Sequence, residues 1–157
     1  MAKKMEKIAS FRIDHTILPK GMYISRVDGD IVTYDIRMRR PNKEPVMENA
    51  AMHTLEHLFA TYVRNTKNAD DVIYFGPMGC RTGFYFLLRS STSHRDAIKL
   101  AVEAFKFIKD YEGEIPGATE KECGNYRDHD LEGAKHEAEM IYEVIKDWKS
   151  ADLYYPE

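Results

Sequence analysis

His53 and His57 stand four residues apart in the run His53-Thr54-Leu55-Glu56-His57. On a helix, positions i and i+4 share one face, with a rise of roughly 6 Å between them. Two imidazoles placed in that way converge on a single cation. Glu56 sits at the edge of the same face, three residues after His53 and next to His57. A carboxylate there reaches a metal-bound group without being a ligand itself. A bare histidine pair at this spacing is often only a surface pair. The glutamate and the apolar residues on both sides make it a metal-site candidate.

A catalytic divalent metal usually has three protein ligands and one open position. Cys123 is the better candidate for the third, because it precedes Gly124 in a turn-like stretch where a thiolate is accessible. Cys80 lies in Gly76-Pro77-Met78-Gly79-Cys80-Arg81-Thr82-Gly83 at a strand end, a setting that exposes a side chain at the rim of a sheet. A cysteine near a cation is an acid/base or nucleophile candidate. Two inert buried thiols are the plain alternative.

These residues need elements to hold them. The apolar stripe Ala50, Ala51, Met52, Leu55, Leu58, Phe59 and Tyr62 predicts a helix from about Val46 or Asn49 to Arg64. Upstream, strand pattern begins at Tyr23, turns at Val27-Asp28-Gly29-Asp30, and continues with Val32, Tyr34, Ile36 and Met38 alternating with Thr33, Asp35, Arg37 and Arg39. That alternation turns Arg37 away from the apolar face, into solvent or into a cleft. Val72–Phe75 and Phe84–Leu88 read as two further strands around the Cys80 turn. Ser93 with Asp96 three residues on starts a helix that runs to about Asp110. Thr119 with Glu122 predicts a short helical turn, and a last helix is expected from about Asp130 to Lys149. Residues 1–10 read as a mobile lead-in. Neighbouring strands with interspersed helices predict an α+β domain, an antiparallel sheet packed on helices, over 1–157 as a single catalytic domain.

Composition narrows the function classes. Of 157 residues, 43% are hydrophobic and 31% charged, ordinary for a soluble globular chain. A net charge of -3 without a basic block argues against a nucleic-acid surface. No apolar run approaches the roughly 20 residues of a membrane helix, and the charged start lacks a signal region, so a cytoplasmic location is expected. Two cysteines in a reducing compartment point to metal ligation or chemistry before a disulfide.

Two other readings of His-x-x-Glu-His stay open on these residues. An inverted zincin would use Glu56 to activate a zinc-bound water and would take a carboxylate third ligand from Glu132, Glu137 or Glu139. A non-catalytic metal-binding module would use four protein ligands. The zincin reading leaves the Gly-flanked Cys80 and Cys123-Gly124 unexplained, and the module would have no idle carboxylate beside its ligands. His94 and His136 read as surface residues, and His129 as a packing residue near Cys123. Tyr111, Tyr154 and Tyr155 read as packing or interface residues.

In order along the chain, His53-Thr54-Leu55-Glu56-His57, Gly76–Gly83, Glu122-Cys123-Gly124 and His129-Asp130-Leu131-Glu132-Gly133-Ala134-Lys135 resemble the S-ribosylhomocysteine lyases, the LuxS family of autoinducer-2 synthesis. Ser10-Phe11-x-x-Asp14-His15, Asp35-Ile36-Arg37 and Pro41-Asn42-Lys43 match the same pattern, so the resemblance covers nearly the whole chain. It implies one iron(II) per subunit bound by His53, His57 and Cys123, with zinc or cobalt suiting the same ligands. It implies Cys80 and Glu56 as an acid/base pair, and Ser10, His15, Arg37 and Arg64 around the substrate. It also implies a homodimer with sites at the subunit interface. One departure stands out: many members carry an aspartate six residues before the Gly-flanked cysteine, holding the homocysteine end. Here that residue is Tyr74, which cannot pair with an ammonium as a carboxylate does.

Overall fold

The computed structural model describes residues 5–157. Strands β1 (Gly21–Asp28) and β2 (Ile31–Arg37) form a hairpin closed by Gly29, whose φ of 61° suits a residue without a side chain. Helix α1 (Asn49–Val63) follows, then β3 (Val72–Pro77) and β4 (Gly83–Arg89), α2 (His94–Lys109) and α3 (Leu131–Ile145). All pairings are antiparallel and the strand order is β1-β2-β4-β3. This is the α+β architecture expected from the residue pattern.

One sheet face is covered by the three helices. Val32, Tyr34 and Ile36 of β2 and Phe84, Phe86 and Leu88 of β4 meet Leu55, Leu58 and Phe59 of α1 and Phe105 of α2. Phe59 stacks on Phe75 with ring centroids 3.8 Å apart. The other face carries the alternate residues, among them Thr33, Asp35, Arg37, Tyr85 and Leu87.

Local chemistry sets the helix ends. The Ser93 hydroxyl accepts the Asp96 N–H at the start of α2, as its spacing predicted. The Asp130 carboxylate accepts the Gly133 N–H at the start of α3. Helix α3 stops at Ile145, short of the expected Lys149. Trp148 turns back instead, and its indole N–H donates to the Met22 carbonyl at 2.8 Å, tying the helix end to β1. The Thr119–Cys123 stretch forms the single turn expected of it. Among the described residues, no helix is long and apolar enough to cross a membrane.

Candidate metal centre and proton-transfer site

Helix α1 buries Ala51, Thr54, Leu55, Leu58 and Phe59 and leaves His53, Glu56 and His57 half-buried. The His53 Nδ1–H donates to the Asp128 carbonyl at 2.8 Å, and the His57 Nδ1–H to the Pro116 carbonyl at 2.7 Å. A carbonyl only accepts, so each ring carries its proton on Nδ1 and turns a bare Nε2 lone pair inward. The two rings stand nearly perpendicular, with centroids 4.7 Å apart.

Cys123 enters from the loop between α2 and α3. Its backbone N–H closes a turn on the Thr119 carbonyl at 2.9 Å, and the Thr119 hydroxyl donates to Glu122 at 2.7 Å. The Cys123 Sγ then lies 3.4 Å from His53 Nε2 and 3.9 Å from His57 Nε2. Ligands at the usual bond lengths around a tetrahedral ion stand about 3.5 Å apart. Gly117 permits the loop to pass: its φ is 69°, and a Cβ there would lie 3.3 Å from His57 Nδ1. The donor set of two imidazoles and one thiol fits a single divalent metal.

His129 joins them, against expectation. Its ring stacks on His53 with centroids 4.0 Å apart, its Nε2 is 4.0 Å from Cys123 Sγ, and its Nδ1 is 2.9 Å from the Thr54 hydroxyl. Ligand atoms of His53, His57, Cys123 and His129 all lie within 4.8 Å of one another. Burial, with His53 and His57 beside it, pushes the His129 pKa down and favours the neutral ring. The histidine six residues after Cys123 was a visible signal, but only the fold closes the loop that brings it back. The carboxylates an inverted zincin would need are elsewhere: Glu137 is locked in a two-pronged ion pair with Arg39, and Glu132 and Glu139 are exposed.

Cys80 is exposed on the β3–β4 turn, as its glycine-rich setting predicted. Its Sγ is 3.0 Å from the buried Thr82 hydroxyl. Arg37 is not in solvent: it is 2% exposed, because the C-terminal tail lies over this part of the sheet's outer face. Its Nε and Nη2 donate to the two Asp35 oxygens at 3.1 and 2.7 Å, and its Nη1 donates to Thr82 Oγ1 at 2.8 Å. Tyr155 from that tail stacks on Tyr23 and donates to Asp35 at 2.7 Å.

The remaining predicted residues are not drawn to the cluster by any hydrogen bond among the described residues. Ser10 lies in a single 3₁₀ turn, Ala9–Phe11. His15 Nδ1 bonds locally to the Ile13 carbonyl at 2.8 Å. Arg64 caps the C-terminus of α1 and is exposed. His94 is half-buried, 2.7 Å from the Tyr34 hydroxyl, and so is not the plain surface residue expected; His136 is exposed. Tyr74 is 51% exposed on the edge strand and folds over Gly76, where an added Cβ would run into its phenol.

Comparison with known proteins agrees with this arrangement. A profile of the S-ribosylhomocysteinase (LuxS) family matches residues 8–152. The S-ribosylhomocysteine lyase of Clostridium beijerinckii is 50% identical, covering 97% of this chain and 99% of its own. Those of Phocaeicola vulgatus and Finegoldia magna are 48% and 49% identical, covering 97% and 98% of this chain and 98% and 100% of theirs. With a match along this much of its length, and with the histidine–cysteine cluster assembled, the chain belongs to the S-ribosylhomocysteinase (LuxS) family.

Proposed function

We propose that this chain cleaves the thioether of S-ribosylhomocysteine, releasing homocysteine and 4,5-dihydroxy-2,3-pentanedione, the autoinducer-2 precursor. The observation that carries the reading is the pair of Nε2 lone pairs of His53 and His57 turned toward Cys123 Sγ, with Glu56 on the same helix. His53, His57 and Cys123 hold one divalent metal per subunit, iron(II) in this reading; zinc and cobalt suit the same donors. Bound there, the metal supplies Lewis acidity for the negative charge that develops on the sugar oxygens.

The residues of the chain then move protons. The aldose carbonyl must migrate to the third carbon of the sugar before the thioether can leave. Each shift takes a proton from one carbon and returns one to its neighbour. Cys80 and Glu56 carry those protons as an acid/base pair. With the carbonyl in place, loss of the proton on the fourth carbon expels homocysteine from the fifth. Ser10, His15, Arg37 and Arg64 surround the substrate. Of the five N–H groups of a guanidinium, three in Arg37 are committed to Asp35 and Thr82, which leaves others for a sugar oxygen.

The active assembly in this proposal is a homodimer with sites shared between subunits. Ile8 and Phe11 are 58% and 68% exposed, and Ile8–Ser10 line a cleft of about 380 Å³ on the outer sheet face with Tyr74, Tyr85 and Leu87. An apolar cleft of this kind suits a second subunit. Two free cysteines suit the reducing cytoplasm. The test is thiol release from S-ribosylhomocysteine under anaerobic conditions, with metal analysis of the same sample. A fully metal-loaded protein that releases no homocysteine refutes the activity.

A further inference from the structure

The cluster contains four potential donors where the proposed site uses three, and the fourth, His129, has no assigned part. Its surroundings differ from those of the other two histidines in one respect. His53 and His57 each present Nδ1 to a backbone carbonyl, which can only accept. His129 presents Nδ1 to a hydroxyl, that of Thr54, at 2.9 Å.

Thr54 is fully buried, so its hydroxyl hydrogen needs a partner inside the protein. The oxygen already accepts the Asp130 N–H at 2.9 Å. Its two partners among the described residues are that N–H and His129 Nδ1. The N–H cannot accept. The hydroxyl therefore donates to His129 Nδ1, which must be bare. A neutral imidazole with a bare Nδ1 carries its hydrogen on Nε2. That atom lies 4.0 Å from Cys123 Sγ, at the outer reach of an N–H···S contact.

We infer that His129 is not a fourth ligand but a positioning residue, which points an Nε2–H at the Cys123 sulfur and is held in that tautomer by Thr54. The inference rests on the reading of His53, His57 and Cys123 as the metal ligands. It gives the three-ligand site a physical basis: two rings offer lone pairs, and the third offers a hydrogen. A hydrogen bond to a ligating sulfur withdraws charge from it and fixes its direction, which is the usual part of groups just outside a metal's ligands. The fourth coordination position is thereby left for substrate.

Long-range ¹H–¹⁵N NMR of the zinc-loaded protein reads the tautomers directly. Nδ1–H is expected for His53 and His57 and Nε2–H for His129; Nδ1–H on His129 overturns the assignment. Cobalt substitution gives a second reading, independent of activity. His129→Leu should keep one cobalt per chain, and its thiolate-to-cobalt charge-transfer band should move to longer wavelength as the sulfur loses its hydrogen bond. His129→Gln, which keeps an N–H near the Nε2 position, should restore the wild-type band. Cobalt lost from both variants but bound by the wild type makes His129 a ligand and overturns the inference alone. An unshifted band in His129→Leu removes the N–H···S contact. A wild-type chain that binds no cobalt or zinc refutes the metal-centre reading itself.

Discussion

The Cys80 sulfur lies 3.0 Å from the Thr82 hydroxyl, and that hydroxyl is itself held from behind. Arg37 donates to Thr82 Oγ1 at 2.8 Å, while Asp35 grips the other edge of the guanidinium and Tyr155 donates to Asp35. The Thr82 hydroxyl thus bridges the Arg37 guanidinium and the Cys80 sulfur. An exposed thiol on a turn is in this way anchored to a buried polar network on the outer face of the sheet.

Thr82→Val keeps the size of the side chain and removes this hydrogen bond together with the acceptor of Arg37 Nη1. Thiol release should fall by about tenfold in kcat, the equivalent of one lost hydrogen bond of about 1.4 kcal/mol. KM should change little, and Thr82→Ser should recover most of the loss. Steady-state kinetics on the three proteins checks it.

Cys80→Ala and Glu56→Gln should retain their metal and lose homocysteine release by about a hundredfold or more, the usual scale of a general acid or base. His57→Ala and Cys123→Ala should instead lose the metal. Metal analysis beside a thiol assay separates the two groups. Full activity in either of the first two variants removes that residue from the proton-transfer pair.

Gly133→Ala sets two effects against each other. Alanine is ordinarily favoured over glycine in a helix, by about 1 kcal/mol in the interior and by less in the first turn, where Gly133 sits. Here the new Cβ would lie 2.9 Å from Ala51 Cβ and against the Asp130 carboxylate that caps α3. Overpacking costs about 1–3 kcal/mol, so the variant should be less stable despite its better propensity. Urea unfolding of the two proteins decides the sign.

Burial holds several tyrosine hydroxyls in their protonated form. Desolvation, with Asp35 nearby, raises Tyr23 to about 12, desolvation alone raises Tyr34 to about 12, and Tyr155 is raised as well. In the unfolded chain these groups titrate near 10. Between those values the folded state binds more protons than the unfolded one, so stability falls as pH rises. This contribution should be intact below pH 10 and be lost between about 10 and 12. Unfolding midpoints across that range, with Tyr155→Phe showing a shallower decline, provide the measurement.

Much of the site could be read before folding is considered. His53, Glu56 and His57 sit on one helix turn, and the helix is marked by its own apolar stripe. The start of α2 follows from Ser93 and Asp96, and the β1–β2 turn from Asp28-Gly29. The alternation puts Arg37 on the outer sheet face but leaves solvent and cleft both open, because a strand pattern names the face and not what covers it. Tyr155 of the C-terminal tail that covers it bonds to Asp35 from 120 positions away. His129 stands six residues after Cys123, but that spacing by itself does not say that the loop turns its ring back onto His53.

What the sequence alone determined, then, are the relations within a few residues: the shared face of the histidine pair, the caps, the strand alternation and the glycine-flanked setting of Cys80. These follow from helical and strand periodicity, which act over one or two turns. Tertiary structure decided the rest. Cys123 meets His53 from 70 positions away, and the carbonyls that orient the histidines belong to Asp128 and Pro116. A backbone carbonyl is the same group at every position, so no residue type announces which one a ring will find. Only packing of the α2–α3 loop against α1 selects those two, and with them the direction of each lone pair.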